Sequence, residues 1–277
     1  MNAPTQKKMI IKSDGISLLG DSDDNSRRVE FEKIRYIVLK KLLGVTGRFR
    51  LGFLWVLLEP MLTALIYVFL FSVINSGIPG ELIILGIGTY GVFSSSFKDG
   101  MSGLKEKNGG FSSEWVKTPV LIKAELVYSA VEGVIRALSM LILLSLAMDI
   151  IFPKSLLYLP ICAILAVTSK SVGYNLAVIT KNSPDIRQIL DFIVRLMFFL
   201  TPVLYPFSEL EGAHRQLNSY NPITYFIESS RLVCGTIDEP LIPDNPISII
   251  FISFFIVLAI RGVLRLDKCR WEVSTWN

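Results

Sequence analysis

Six ionisable side chains sit where water is scarce. Glu59, Glu132, Arg136, Lys170, Asp191 and Arg195 all fall inside long apolar stretches between Gly52 and Leu266. A charge in hydrocarbon is costly, so one that stays there faces a bundle interior or a polar pathway. Three are acidic and three basic. Glu132/Arg136 and Asp191/Arg195 are each four residues apart, so each pair can close on one helix face. Two readings stand: mutually neutralised contacts between helices, or a polar vestibule in which Arg or Lys exchanges its partner for an anionic headgroup. All six lie in the half of their segments nearest the basic connections, and none in the other half.

Bond-making chemistry has little to work with. His214 is the only histidine, and Cys162, Cys234 and Cys269 are scattered along the chain, so no metal site, disulfide framework or Ser/His/Asp or Cys/His set is read. No G-x-x-x-x-G-K-[ST] loop is present to cradle nucleotide phosphates. Transport against a gradient would need a separate energy source. The basic Lys105–Lys123 connection, with Lys107, Trp115, Lys117 and Pro119, is the best inward surface on which one could dock.

Aromatic residues recur through the apolar stretches: Tyr67, Phe69, Phe71, Tyr90, Phe93, Phe97, Phe192, Phe198, Phe199 and Tyr205. Such rings either pack against lipid and neighbouring helices or line a path. In a path they offer apolar faces to sugar C–H groups and phenolic hydroxyls to sugar hydroxyls.

The elements that must position these residues follow from composition. With 51% hydrophobic and 19% charged residues, and a mean hydropathy of +0.52, the chain is too apolar for an ordinary soluble domain. The expected architecture is an all-α membrane protein. It has six transmembrane helices at about 52–75, 81–97, 124–148, 156–179, 186–205 and 246–266 within a 51–266 domain. Net charge is +4, but the basic residues cluster beside membrane segments rather than forming the continuous face that nucleic acid requires.

Basic residues also set orientation. Lys33, Arg35, Lys40, Lys41, Arg48 and Arg50 precede the first span, five lysines lie between the second and third, Lys181 and Arg187 follow the fourth, and Arg265, Lys268 and Arg270 close the chain. Both termini are expected in the cytoplasm, with no cleaved signal peptide. Residues 1–28 read as a flexible tail, and 267–277 as a second one. Between them and the first span, 29–50 reads as a basic amphipathic interface helix. Its apolar stripe is Phe31, Ile34, Val38, Leu42 and Val45, with Glu30, Lys33, Lys40 and Lys41 off the stripe. It serves as an anchor alone, or also as a platform for a cytoplasmic partner.

Between the fifth and sixth spans, Asn221 and Pro222 read as the cap and first turn of a short helix. With Phe207–Tyr220 it forms an expected re-entrant outer pair, acting as a gate or as passive packing.

Arg48-Phe49-Arg50-Leu51-Gly52-Phe53-Leu54-Trp55 followed by Glu59-Pro60, together with Asn221-Pro222-Ile223-Thr224, Glu228 and Arg231, resembles type-2 ABC exporter permeases of the polysaccharide-export branch. The likeness covers about Val29 to Leu266 and does not separate O-antigen, capsule and teichoic-acid exporters. It implies a homodimer in the bacterial cytoplasmic membrane, with the channel between the two permeases. Two copies of an ATPase subunit would bind ATP and Mg²⁺, and this chain would carry no cofactor and no catalytic residue. Arg48, Arg50, Leu51, Gly52 and Glu59 would meet the headgroup of a lipid-linked polysaccharide. Lys105–Pro119 would hold the coupling helix for the ATPase. Tyr205 to Arg231, with Asn221, Pro222, Tyr225 and Glu228, would form the outer gate. The main rival is a permease of the same type for a small hydrophobic drug or lipid, and from another class a membrane scaffold without a transport cycle.

Overall fold

The computed structural model describes residues 9–12, 15–18, 23–46, 53–74, 77–103, 118–147, 153–241 and 245–268. A two-stranded antiparallel hairpin, β1 (Met9–Lys12) and β2 (Gly15–Leu18), pairs Met9 with Leu18 and Lys12 with Gly15. It occupies part of the segment expected to be a flexible tail. Every other described element is helical.

Helix α1 spans Asp23–Thr46. It packs on α4 (Thr118–Ala147) through buried Ile37 and Val38 against Ala124, with Ile34, Leu42, Leu121 and Tyr128 around them. Of the stripe read from sequence, Ile34, Val38 and Leu42 lie on this packed face, which also takes in Ile37. Phe31 is 64% exposed, and Lys41 turns into the packed face, where it meets Glu125. Helix α1 carries two apolar arcs. Val29, Tyr36, Leu39 and Leu43 form the second, roughly opposite the first at about 100° per residue, and all four are exposed. Periodicity alone cannot choose between two such arcs.

Helix α2 (Phe53–Ile74) contains Pro60, which removes one backbone donor, and Thr63 donates its hydroxyl to the Glu59 carbonyl at 2.9 Å. Among its described side chains only Ala64 is fully buried. Helix α3 (Gly80–Met101) is the opposite case, with residues 82–90 all buried. Helix α5 (Tyr158–Asn182), preceded by a 3₁₀ turn at Lys154–Leu157, is the hub and touches α3, α4, α6 (Pro184–Leu200) and α9 (Pro246–Lys268). Lipid tails are as apolar as Leu, so close backbone approach has to hold such helices together. A Cβ on Gly100 would lie 2.2 Å from the Lys170 carbonyl oxygen, and one on Gly173 would lie 2.5 Å from that of Phe97.

Among the described residues, four stretches are long and apolar enough to cross a membrane: Leu57–Ile74, Pro119–Leu146, Lys154–Ala177 and Pro246–Arg265. Of the six transmembrane helices expected, four meet this measure of length and composition. Helix α3 dilutes its apolar residues with Gly86, Gly88, Gly91, Ser94, Ser95 and Ser96, of which Gly86, Gly88 and Ser96 are buried in protein. Helix α6 has only 17 residues. It stops at Leu200 rather than 205 because Thr201, before Pro202, is extended. Beyond it lie a 3₁₀ turn (Phe207–Glu209), α7 (Gly212–Ser219) and α8 (Pro222–Cys234).

Candidate functional site

Three clusters contain the chemically distinctive side chains. The first joins four helices. Lys170 on α5 is 1% exposed, and its ammonium lies 2.7 Å from Asp99 Oδ2 on α3 and 2.8 Å from Glu125 Oε2 on α4. It also donates to the Glu125 carbonyl oxygen at 3.3 Å. Glu125 Oε1 takes Lys41 of α1. The Tyr128 ring lies 5.2 Å from the Lys41 ammonium and 5.7 Å from that of Lys170, so each cation gains an aromatic face. Two cations and two carboxylates neutralise one another. Lys170, expected in a vestibule, therefore faces no open space. Lys41, Asp99 and Glu125 were missed as its partners. Glu125, Tyr128 and Glu132 are spaced 3 and 4 apart, a signal for one helix face. The pairing of Lys170 with residues 71 and 45 positions away has no local signal.

Of the other expected vestibule charges, Arg136 closes on Glu132 with Nη2 at 2.9 Å and Nε at 3.2 Å. Asp191 and Arg195 do not pair with each other. Asp191 is half-buried, while Arg195 is exposed on a helix whose exposed face is otherwise largely apolar. Glu59 on α2 is likewise exposed.

The second cluster is aromatic and runs from α3 to α2 by way of α6. Phe97 stacks on Phe93 (5.6 Å), Phe93 meets Tyr90 (5.5 Å), Tyr90 meets Phe198 (5.3 Å), and Phe198 meets both Tyr67 (5.5 Å) and Phe199 (5.2 Å). The expected channel set divides here. Phe93 is 4% exposed and belongs to the core. Phe71 and Phe97 pack half-buried against that core, as do Tyr67 and Phe198. Phe69 (71% exposed) and Phe199 are open, with Phe69 about 200° from Tyr67 around α2. Tyr67 and Phe198 each stand fourteen residues into their helices, or roughly 21 Å. Glu59 and Asp191 stand six and seven residues in, about 10 Å. The acidic groups therefore lie nearer the first turns of α2 and α6, and the rings farther along both helices.

The third cluster is the outer segment. Arg231 is 0% exposed. Its Nη1 donates to the Tyr205 carbonyl oxygen (3.0 Å) and Glu228 Oε1 (2.6 Å), and its Nη2 to those of Leu82 (3.1 Å) and Val203 (2.9 Å). Burial pushes this guanidinium down from its ordinary value, with the Glu228 carboxylate opposing. Gly86 makes room for this contact, since a Cβ there would lie 1.9 Å from the Val203 oxygen. Asn221 caps α8, accepting from Ile223 N at 3.1 Å and donating to Thr201 Oγ1 at 3.0 Å, and Pro222 fills the first turn. The Tyr225 hydroxyl donates to the Ser219 carbonyl oxygen at 2.7 Å. The last carbonyls of α6 are also covered: Asn218 Nδ2 and His214 Nε2 each lie 2.8 Å from the Leu200 oxygen, and the Tyr205 hydroxyl donates to that of Phe199 at 3.0 Å. The expected gate residues are thus tied into one hydrogen-bonded cap.

Arg48, Arg50, Leu51 and Gly52, and Lys105, Lys107, Trp115 and Lys117, lie outside the described residues. Pro119 is in the first turn of α4.

Similarity to known proteins agrees with this geometry. Residues 32–234 match the model of the ABC-2 type transporter family. The chain is 23% identical to the polysialic acid transport protein KpsM of Escherichia coli over 235 residues, covering 82% of this chain and 91% of that one. It is 28% identical to the O-antigen export system permease protein RfbA of Myxococcus xanthus over 190 residues, 66% of this chain and 72% of that one. The family match takes in α1 almost from its middle, all three clusters and the whole of α8, and the chain belongs to the ABC-2 type transporter membrane family.

Proposed function

We propose that this chain is the permease of an exporter that moves a lipid-linked polysaccharide, O-antigen in the first instance, across the bacterial cytoplasmic membrane. It works as a homodimer, with two copies of a separate ATPase subunit that bind ATP and Mg²⁺ and do the hydrolysis. Support comes from the similarity to KpsM, a polysialic acid transport protein, and RfbA, an O-antigen export permease. The observation in this chain that carries the reading furthest is the exposure of Glu59 and Arg195 on two helices that the rest of the protein scarcely covers. An Arg facing lipid at that depth costs at least about 2.5 kcal/mol. A second copy set against α2 and α6 would turn both charges toward a shared watery path, with Tyr67, Phe198 and Phe199 farther along it.

In this reading α3 and α6 also cross the bilayer, α3 shielded by protein and α6 by the partner copy. Both termini are cytoplasmic, and α7–α8 dips into the outer leaflet as the gate. The anionic headgroup meets Arg48 and Arg50. The test is surface glycan in cells carrying Arg48→Ala plus Arg50→Ala, which is expected to drop at least tenfold at unchanged protein level. Undiminished surface polymer sinks the headgroup assignment.

A further inference from the structure

The Lys41–Glu125–Lys170–Asp99 cluster sits at the two ends of one segment. Asp99 lies three residues before Ser102, where α3 has ended, and Glu125 lies two turns into α4. Between them runs the connection read above as the seat of the ATPase. One buried ammonium, that of Lys170, therefore grips the helix entering this connection and the helix leaving it, at 2.7 and 2.8 Å.

Independent contacts fix the same place. Gly100 and Gly173 bring the backbones of α3 and α5 together. Thr180 Oγ1 donates to the Met101 carbonyl oxygen at 2.8 Å, and Arg187 Nη2 donates to Ser102 Oγ at 2.7 Å. On the other side α1 is strapped to α4 twice, by Lys41 to Glu125 and by Lys123 to Glu30 at 2.6 Å.

We infer that Lys41, Asp99, Glu125 and Lys170 form the mechanical joint of the permease, making the ends of the α3–α4 connection, α5 and the interface helix α1 move as one body. The claim rests on the exporter reading and on the connection being the docking segment. Its physical basis is that Lys170 and Glu125, with side chains 1% and 7% exposed, pair across α5 and α4 in a poorly solvated interior, while Asp99 and Lys41, each about a third exposed, extend that pairing to α3 and α1. Lys170 is the fixed pin. Lys41, 34% exposed on its side chain, is the strap that can be cut without opening the core. All four are positioning residues: they touch neither substrate nor nucleotide.

The experiment replaces the chain in its own cells with Lys41→Met, Lys41→Arg or wild type. It measures surface carbohydrate by periodate–hydrazide labelling and, on the co-purified complex in lipid nanodiscs, ATP hydrolysis. Lys41→Met is expected to cut surface carbohydrate at least tenfold while hydrolysis stays within twofold of wild type, and Lys41→Arg to restore it. A second variant adds Val38→Cys and Ala124→Cys to Lys41→Met, with Cys269→Ser to remove a competing thiol. An oxidised 38–124 crosslink is expected to restore export by replacing the strap covalently. Normal export by Lys41→Met, or parallel loss of export and hydrolysis that the crosslink does not repair, overturns the joint. Wild type with no associated ATPase or no exported polymer overturns the exporter reading itself, and the joint with it.

Discussion

Arg231 has no room for a conservative replacement. Its planar fork reaches three backbone carbonyls and one carboxylate in four directions, and a lysine offers three donors from one nitrogen. Arg231→Lys is expected to leave carbonyls of Leu82 or Val203 unpaired and to destabilise the protein by about 2 kcal/mol or more, read as a lower midpoint of thermal unfolding in detergent. Cys234, at the end of the same helix, is fully buried, and burial pushes its thiol up to about 12. At pH 8 the thiolate that reacts with maleimide is therefore scarce, and native Cys234 is expected to stay unlabelled. In Arg231→Lys the cap loosens and labelling should rise severalfold. Equal labelling of both proteins would separate Cys234 from the Arg231 cluster. The sequence marked Arg231 and Glu228 as gate residues by resemblance. It could not show that Leu82, 149 positions away, completes the guanidinium's partners.

The helices differ in how they meet their neighbours, and the glycines test this. Gly86→Ala would drive a methyl to 1.9 Å from the Val203 oxygen, whereas Gly91, on the same helix, has nothing within 4 Å of an added Cβ. Gly86→Ala is expected to cost about 1–3 kcal/mol. Gly91→Ala should be neutral or stabilise by up to about 1 kcal/mol, both measured by thermal unfolding. Helix α1 offers a second test, because its packed arc is Ile34, Ile37, Val38 and Leu42 while Val29, Tyr36, Leu39 and Leu43 are exposed. A fluorophore at position 39 should be quenched by brominated lipid, and one at 37 should not; the reverse would put Leu39 rather than Ile37 on the packed face. The end of α6, expected at 205, lies at Leu200, but the start of α8 was legible because a cap and a proline mark it locally at Asn221-Pro222. Facing was not, because α1 is apolar on two sides and α3 is buried on nearly all of its middle turns.

For the molecule as a whole, the uneven cover of its helices matters most. Helices α3, α4, α5 and α8 share one continuous core, whereas in the apolar stretches of α2 and α9 only 6% and 17% of residues are buried. Exposed apolar surface alone fits lipid. Exposed Glu59 and Arg195 do not. Arg195→Leu is expected to leave folding intact and to lower export several-fold, measured as surface glycan per unit of membrane protein. Unchanged export would leave Arg195 outside the path. Topology at this scale is checked by reporter fusions, expected inside at Asn108 and outside at Leu210.

The amino-acid order alone determined that the chain is a helical membrane protein. It also determined which connections carry positive charge and, within about two residues, both ends of α2 and α9, because hydropathy, proline and capping act within a few residues. Only the tertiary structure decided which charges meet. Lys170 finds Asp99 and Glu125, Arg231 finds Leu82 and Val203, and α1 turns Lys41 inward. Those choices are made between helices far apart in sequence, where the need to leave no buried charge or carbonyl unpaired outweighs any local preference.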